Sequence, residues 1–175
     1  MQTNTNDTMQ GKDDVLKLLE EMGIPFSCEE HDPVLNMSES GTLTLSLAGV
    51  RCKNLLLQDK KNQYFLVVTT ATKPLDLAAL ASALGSKRLS FASADTLFEL
   101  LGIRTGSLSP LALINDPAGR VRLVIDVELN GETSFLFHPL ENHASVSLSR
   151  SGLDTFLRHI EHPADWLSVC ARQDT

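Results

Sequence analysis

Apolar positions along this chain recur at two spacings, and the changes from one spacing to the other mark its elements. Val15, Leu18, Leu19 and Met22 fall three and four apart, which predicts a helix over residues 13–22 stopped at Gly23. Residues 25–31 read as a short extended piece ending in His31-Asp32-Pro33, because the residue before a proline is pushed away from helix. Residues 38–47 give two signals: Ser38-Glu39 opens like a helix, whereas Gly41-Thr-Leu-Thr-Leu-Ser-Leu alternates like a strand. Their structure stays open at this stage. Residues 51–58 and 63–70 are strand-like runs joined by Asp59-Lys60-Lys61-Asn62, a hairpin connection.

The second half reads in the same way. A helix over 75–84 buries Leu77, Leu80, Ala81 and Leu84 and ends at Gly85, and 88–91 form a short strand. Ser93 caps a helix running to Leu101, with Leu97, Phe98, Leu100 and Leu101 inward and Gly102 just beyond. After the loop 102–110, strands are expected at 111–115 and 121–129, separated by the turn Asp116-Pro-Ala-Gly119. Asn130-Gly131 turns the chain into strands at 134–138 and 144–149. Ser151 with Asp154 resembles a capping box for a last helix carrying Leu153, Phe156, Leu157 and Ile160, and Trp166 and Leu167 pack on the sheet. Six to eight strands joined by short turns, with four or five helices, predict a single mixed α+β domain over a doubly wound parallel sheet. The expected limits are a polar tail over 1–11, the domain over 12–170 and a short tail over 171–175.

Composition excludes several classes. No apolar run approaches the roughly 20 residues needed to cross a bilayer, and the polar N-terminus has no signal-peptide core. Cys28, Cys52 and Cys170 are odd in number and widely spaced, which argues against a disulfide framework or zinc ribbon and suits a reducing, cytoplasmic setting. A net charge of −7 argues against binding nucleic acid through bulk electrostatics, though a local basic patch could still read one RNA end.

Candidate chemistry is sparse. There is no His-Glu-x-x-His, Walker loop, Gly-x-Ser-x-Gly or Gly-x-Gly-x-x-Gly. Lys53 shares its strand alternation with the core residues Leu55 and Leu57, so it is either an edge lysine that snorkels or a functional cation. Cys52 beside it points to the other face and reads as a small buried thiol. Lys60 and Lys61 at the hairpin tip are solvated or contact phosphate. His159 and His162 lie three apart, on a solvated face near a helix end or as an incomplete metal pair. His138, just before Pro139, is a backbone-bonded core histidine or a site residue. The loop Gly106-Ser107-Leu108-Ser109-Pro110 could present backbone N–H groups to a ligand.

Five motifs in order, His31-Asp-Pro-Val34, Cys52-Lys-Asn-Leu-Leu-Leu-Gln-Asp59, Gly106-Ser-Leu-Ser-Pro110, Phe137-His-Pro-Leu-Glu-Asn142 and His159-Ile-Glu-His-Pro163, carry a resemblance covering residues 15–169. The chain resembles the freestanding prolyl-tRNA editing domains of the YbaK/ProRS-insertion superfamily, on the alanyl-tRNA(Pro) deacylase branch. It departs from the family at Asp32, where His-Pro-Pro is usual, and in 38–47, which is less helix-like and contains Gly41. The resemblance implies a YbaK-like α+β fold, with a mixed, largely antiparallel, barrel-like sheet surrounded by helices. It implies hydrolysis of the aminoacyl ester at the 3′ end of mischarged tRNA(Pro), with no metal or organic cofactor and no DNA or membrane partner. Prolyl-tRNA synthetase is a further implied partner.

The implied catalytic positions are Lys53 as a substrate-contacting cation and Gly106 as a backbone donor. Asn54, Ser107, Leu108, Pro110 and His138 are implied to bind substrate, with the substrate's own ribose hydroxyl assisting. On an ideal strand Asn54 would point away from Lys53 unless a bulge re-aimed it. The logic of such editing is physical. A pocket built for proline cannot strongly exclude alanine, since each missing methylene gives only about 1–3 kcal/mol of discrimination. Editing of cysteinyl-tRNA(Pro) or seryl-tRNA, or a non-catalytic tRNA- or synthetase-binding module, are the alternatives.

Overall fold

The computed structural model describes residues 9–31 and 47–173. The passage over 38–46 whose two signals conflicted lies outside these residues, as do Asp32 to Val34. Four α-helices among the described residues are α1 (Lys12–Glu21), α2 (Leu77–Leu84), α3 (Ala94–Leu101) and α4 (Arg150–His159). The strands are β1 (Phe26–Glu30), β2 (Val50–Gln58), β3 (Tyr64–Thr70), β4 (Ser90–Phe91), β5 (Val121–Asp126), β6 (Ser134–Phe137), β7 (Ala144–Ser149) and β8 (Ala164–Leu167). They form one sheet in the order β1-β7-β6-β2-β3-β5-β8, with β4 attached to β2. The α+β class is as the sequence predicts.

Pairing is mixed. The β2–β3 hairpin, β1–β7, β6–β7 and β2–β4 are antiparallel, while β2–β6, β3–β5 and β5–β8 are parallel. The crossover from β3 to β5 contains α2, β4 and α3, the kind of connection a parallel neighbour requires.

Local chemistry sets the helix limits. Asp76 accepts from the Ala79 N–H to open α2, and Ser93 accepts from the Thr96 N–H to open α3. Gly85 and Gly102 close those helices in left-handed conformation, φ +67° in both. Two core clusters lie on opposite faces of the β2–β3–β5 region. The larger holds Leu56, Leu66, Val68 and Leu123 with residues of α1, α3 and α4, and the smaller holds Leu57, Phe65, Val67 and Val124 beneath α2. Each buried leucine or phenylalanine contributes about 1.5–3 kcal/mol through area removed from water.

Four expectations are corrected. Residues 111–115 are not a strand but a 3-10 helix, Pro110–Asn115. Pro110 fixes φ and lacks an N–H, Ser109 Oγ takes the Leu111 N–H, and an apolar run buried all round carries no periodicity to separate helix from strand. The strand at 121–129 stops at Asp126, whose carboxylate caps a single 3-10 turn, Val127–Leu129. Phe98 is 51% exposed, because Leu97, Leu100 and Leu101 already fill the inward stripe of α3. The Arg104 guanidinium lies over its ring instead. The last helix is capped by Ser149, which accepts from the Gly152 N–H, and not by Ser151. Trp166 and Leu167 belong to β8, an edge strand with no signal in the periodicity.

Candidate active site

β2 is regular where the candidate lysine stands. Cys52 to Gln58 pair without a break against Thr70 to Tyr64, and Lys53 lies opposite Thr69. Paired residues share a face, so Lys53 joins Leu55, Leu57 and Thr69 while Cys52, Asn54 and Leu56 point the other way. The half-buried Lys53 donates from Nζ to the backbone carbonyl of Lys73 at 2.7 Å. Burial, and then the nearby charge of Arg172, hold its pKa below the usual lysine value.

The carbonyl that receives Lys53 is itself held by a buried polar cluster. Lys73 Nζ reaches Asp126 Oδ2 at 2.6 Å, the Val169 carbonyl at 2.9 Å and Glu128 Oε1 at 3.1 Å. Thr69 Oγ1 donates to the same Asp126 oxygen at 2.6 Å, and Asp126 Oδ1 accepts from the Glu128 N–H. Asp126 is 1% exposed. Burial opposes both charges, yet the hydrogen bonds outweigh it. They hold the Lys73 pKa above its usual value and that of Asp126 below. Neither Lys73 nor Asp126 had a signal in the sequence; one precedes a proline in a loop, the other ends a strand.

A second polar group forms around the histidine that precedes Pro139. His138 Nδ1 lies 3.0 Å from the Ala144 carbonyl, which can only accept, so Nδ1 carries the proton and Nε2 of the neutral ring is the acceptor. The rings of His31 and His138 are 6.1 Å apart, and His31 Nε2 is 2.8 Å from Ser145 Oγ. Burial pushes the His138 pKa down, the bond to Ala144 opposes this, and the neighbouring His31 adds to it. Ser145 and Ser147 alternate on one face of β7; Ser147 pairs with Leu136, and Leu136 with Arg51. Arg51 and Lys53 share their parity on β2, so the histidine–serine group and Lys53 occupy one face of the sheet. Just past Pro139, Leu140 is buried with φ +69°, a strained conformation for a branched side chain that shapes the turn beside His138.

The Gly106 loop is fastened to this region through Ser109. Ser109 Oγ donates to the His138 carbonyl at 2.7 Å. Gly106 has φ +91°, which a side chain would resist. Ser107 donates its N–H to the Arg104 carbonyl, Leu108 is buried in the larger core, and Pro110 opens the 3-10 helix. Asn54 is set apart from Lys53, as no bulge re-aims it. Its Nδ2 is 3.4 Å from its own strand's Cys52 carbonyl, and its buried Oδ1 has no hydrogen-bond partner among the described residues.

Other candidates separate out. Cys52 is buried and its thiol is pushed up to about 12 by burial and then by Glu132, which makes it a poor nucleophile. Lys60 and Lys61 are exposed at the hairpin tip, where Asp59 accepts the Lys61 and Gln63 N–H groups. His159 is exposed, but His162 is buried with Nε2 2.7 Å from the Asp116 carbonyl, so the two do not share a solvated face.

Residues 32–156 match the family model of the aminoacyl-tRNA editing domain. The chain belongs to that family. It is 35% identical over 151 residues to the Prolyl-tRNA editing protein ProX of Acetoanaerobium sticklandii, covering 86% of this chain and 92% of that protein. It is 36% identical over 148 residues to the Prolyl-tRNA synthetase associated domain-containing protein 1 of Danio rerio, covering 83% and 80%. Among solved structures, a hypothetical protein, APE2540, superposes with a TM-score of 0.67 at 20% identity, covering 89% of this chain and 97% of that one. A structure provisionally assigned to trans-editing for prolyl-tRNA synthetase gives 0.64 at 15%, covering 93% and 98%. These likenesses show the fold.

An aminoacyl-tRNA editing domain removes an amino acid from the wrong tRNA by hydrolysing an activated ester. The chemical demand is therefore modest: positioned water, and stabilisation of the tetrahedral oxyanion. No helix among the described residues is long and apolar enough to cross a membrane.

Proposed function

We propose that this chain is a trans-acting deacylase that releases alanine from alanyl-tRNA(Pro). The observation that carries the reading is the 35% match to the prolyl-tRNA editing protein across nearly the full length of both chains. In the reaction, water attacks the ester carbonyl, the tetrahedral intermediate collapses, and the ribose oxygen leaves with a proton. The products are alanine and tRNA(Pro).

Lys53 acts as a fixed cation that positions the substrate's terminal phosphate or carbonyl. Its ammonium is aimed by the bond to the Lys73 carbonyl, which the Asp126 cluster holds in place. Gly106 allows the loop backbone to approach the carbonyl oxygen. His138, neutral and pinned through Nδ1, lines the amino-acid pocket and limits its size. Nothing is routed through Asn54, which faces away. His31 Nε2 lies 2.8 Å from Ser145 Oγ, but no covalent step is routed through that pair; the substrate's ribose hydroxyl assists the attacking water.

The decisive measurement is a deacylation panel with alanyl-, cysteinyl-, seryl- and prolyl-tRNA(Pro). Alanyl-tRNA(Pro) is expected to disappear well above the buffer rate while prolyl-tRNA(Pro) persists. Faster loss of the cysteinyl or seryl ester reassigns the substrate, and no loss of any ester removes the hydrolase reading. Excess chelator is expected to leave the alanyl rate unchanged. Replacing His138 with Ala is expected to enlarge the pocket and raise hydrolysis of the bulkier prolyl ester relative to alanyl by about tenfold, on the scale of one to two methylenes of discrimination. An unchanged ratio removes His138 from the pocket.

A further inference from the structure

The last described residues return to the neighbourhood of Lys53. Ala171 bridges to Leu75, the Arg172 N–H donates to the Pro74 carbonyl at 2.7 Å, and the Asp76 N–H donates to the Cys170 carbonyl at 3.1 Å. These two backbone hydrogen bonds, which make the bridge, fix the C-terminal segment along the entrance to α2. The result is an open groove of about 780 Å³ lined by Lys53, Leu55, Asp76, Phe91 and Arg172 among others. Its charge is unlike that of the whole chain, which is −7. Two cations face it and one carboxylate, Asp76, whose Oδ1 is occupied by the Ala79 N–H at the head of α2. Among the described residues no carboxylate pairs with Arg172, and its charge is felt by Lys53. Phe91, on the two-residue strand β4, is 60% exposed at the same groove.

We propose that this groove takes the single-stranded 3′ end of the tRNA, with Arg172 and Lys53 on its phosphates and a base stacked on Phe91. The inference rests on the aminoacyl-tRNA reading above and assigns the part of the substrate beyond the ester. Two cations facing a single carboxylate, itself engaged at the head of α2, leave the groove with a net positive charge on an acidic protein and call for an anion, and repeated phosphates supply it. An exposed aromatic beside them offers the sequence-tolerant stacking surface that single-stranded nucleic acid uses. An acidic peptide would satisfy the cations but would leave the ring uncovered.

The test is binding of an RNA hairpin carrying a single-stranded CCA 3′ end, compared with the same hairpin lacking CCA, across a salt series. The wild-type chain is expected to favour the CCA-ended hairpin. Arg172→Ala is expected to weaken that complex about fivefold and to flatten the slope of log K against log salt by about 0.7, one phosphate contact on a single strand. Phe91→Ala is expected to weaken it about tenfold with the slope kept. Both side chains are exposed, so thermal unfolding should match wild type. Equal affinity for the two hairpins, variants that bind like wild type, or a loss seen equally on the trimmed hairpin would each overturn the proposal. So would a loss of CCA binding on replacing Lys60 and Lys61 but not Arg172. Deacylation by the wild-type chain is read separately: CCA-dependent binding with no ester hydrolysed keeps the groove and removes the hydrolase reading, and hydrolysis without CCA dependence does the reverse.

Discussion

Lys53→Ala is expected to slow deacylation of alanyl-tRNA(Pro) by about 10²–10³-fold, the usual loss when one preorganised electrostatic contact to a reacting ester is removed. Folding should survive. The lysine is half-buried and gives one hydrogen bond, to the Lys73 carbonyl, so its loss costs about 1 kcal/mol of stability. The two readouts separate a substrate-contacting cation from a structural one. Single-turnover deacylation within threefold of wild type would return Lys53 to the class of edge lysines. A collapse of thermal stability accompanying the lost activity would assign it to the fold.

The second large effect lies beneath it. Asp126→Ala leaves the Lys73 ammonium without its closest carboxylate partner, with only the more exposed Glu128 and the Val169 carbonyl remaining. Removing one member of a buried pair costs about 3–5 kcal/mol. For a chain of this size that lowers the unfolding midpoint by about 10 °C. Replacing both members, Lys73→Met with Asp126→Leu, should recover much of the loss, because the cost comes from the abandoned charge. Calorimetric midpoints within 2 °C of wild type for Asp126→Ala would show that the cluster contributes little.

The pH dependence follows from the same pair. Asp126 holds its proton more weakly in the folded chain than in the unfolded one. Its contribution is therefore complete above the ordinary carboxylate range and is lost as pH falls through the depressed folded value. Lys73 holds its proton more tightly when folded, so its share is complete below the ordinary lysine value and fades only as pH rises past it. Stability at neutral pH should be insensitive to both. In Asp126→Ala the acid-side contribution of this carboxylate should disappear from a chemical-denaturation series.

Much of the fold could be read along the chain because the relevant physics is local. The hairpin of β2 and β3 followed from two apolar runs separated by four polar residues, and its register puts Lys53 on the face of Leu55 and Leu57 as the alternation predicts. Asp76 and Ser93 cap their helices, and Gly85 and Gly102 end them, through side-chain and backbone geometry contained within a few residues. The failures share a cause as well. The buried 3-10 helix from Pro110 to Asn115 and the edge strand from Ala164 to Leu167 take their form from neighbours far along the chain, so neither shows a decisive period of its own. Ser149, the last residue of β7, is also the cap of α4, a double use that spacing rules assigned two residues too late.

For the candidate site the division is sharper. Lys53, Gly106 and His138 stood out in the sequence as residue types in motif order, and the strand period alone set Asn54 on the opposite face from Lys53. The sequence also settled that Cys52 turns away from the lysine. Only the tertiary structure showed what surrounds Lys53: a backbone carbonyl twenty residues on, a lysine–aspartate–threonine cluster joining β3 to the end of β5, and an arginine from the C-terminal segment. The reason is that alternation dictates a side chain's direction from its nearest neighbours. A charge's partners, and hence what it can do, depend on which distant segments the sheet order brings beside it.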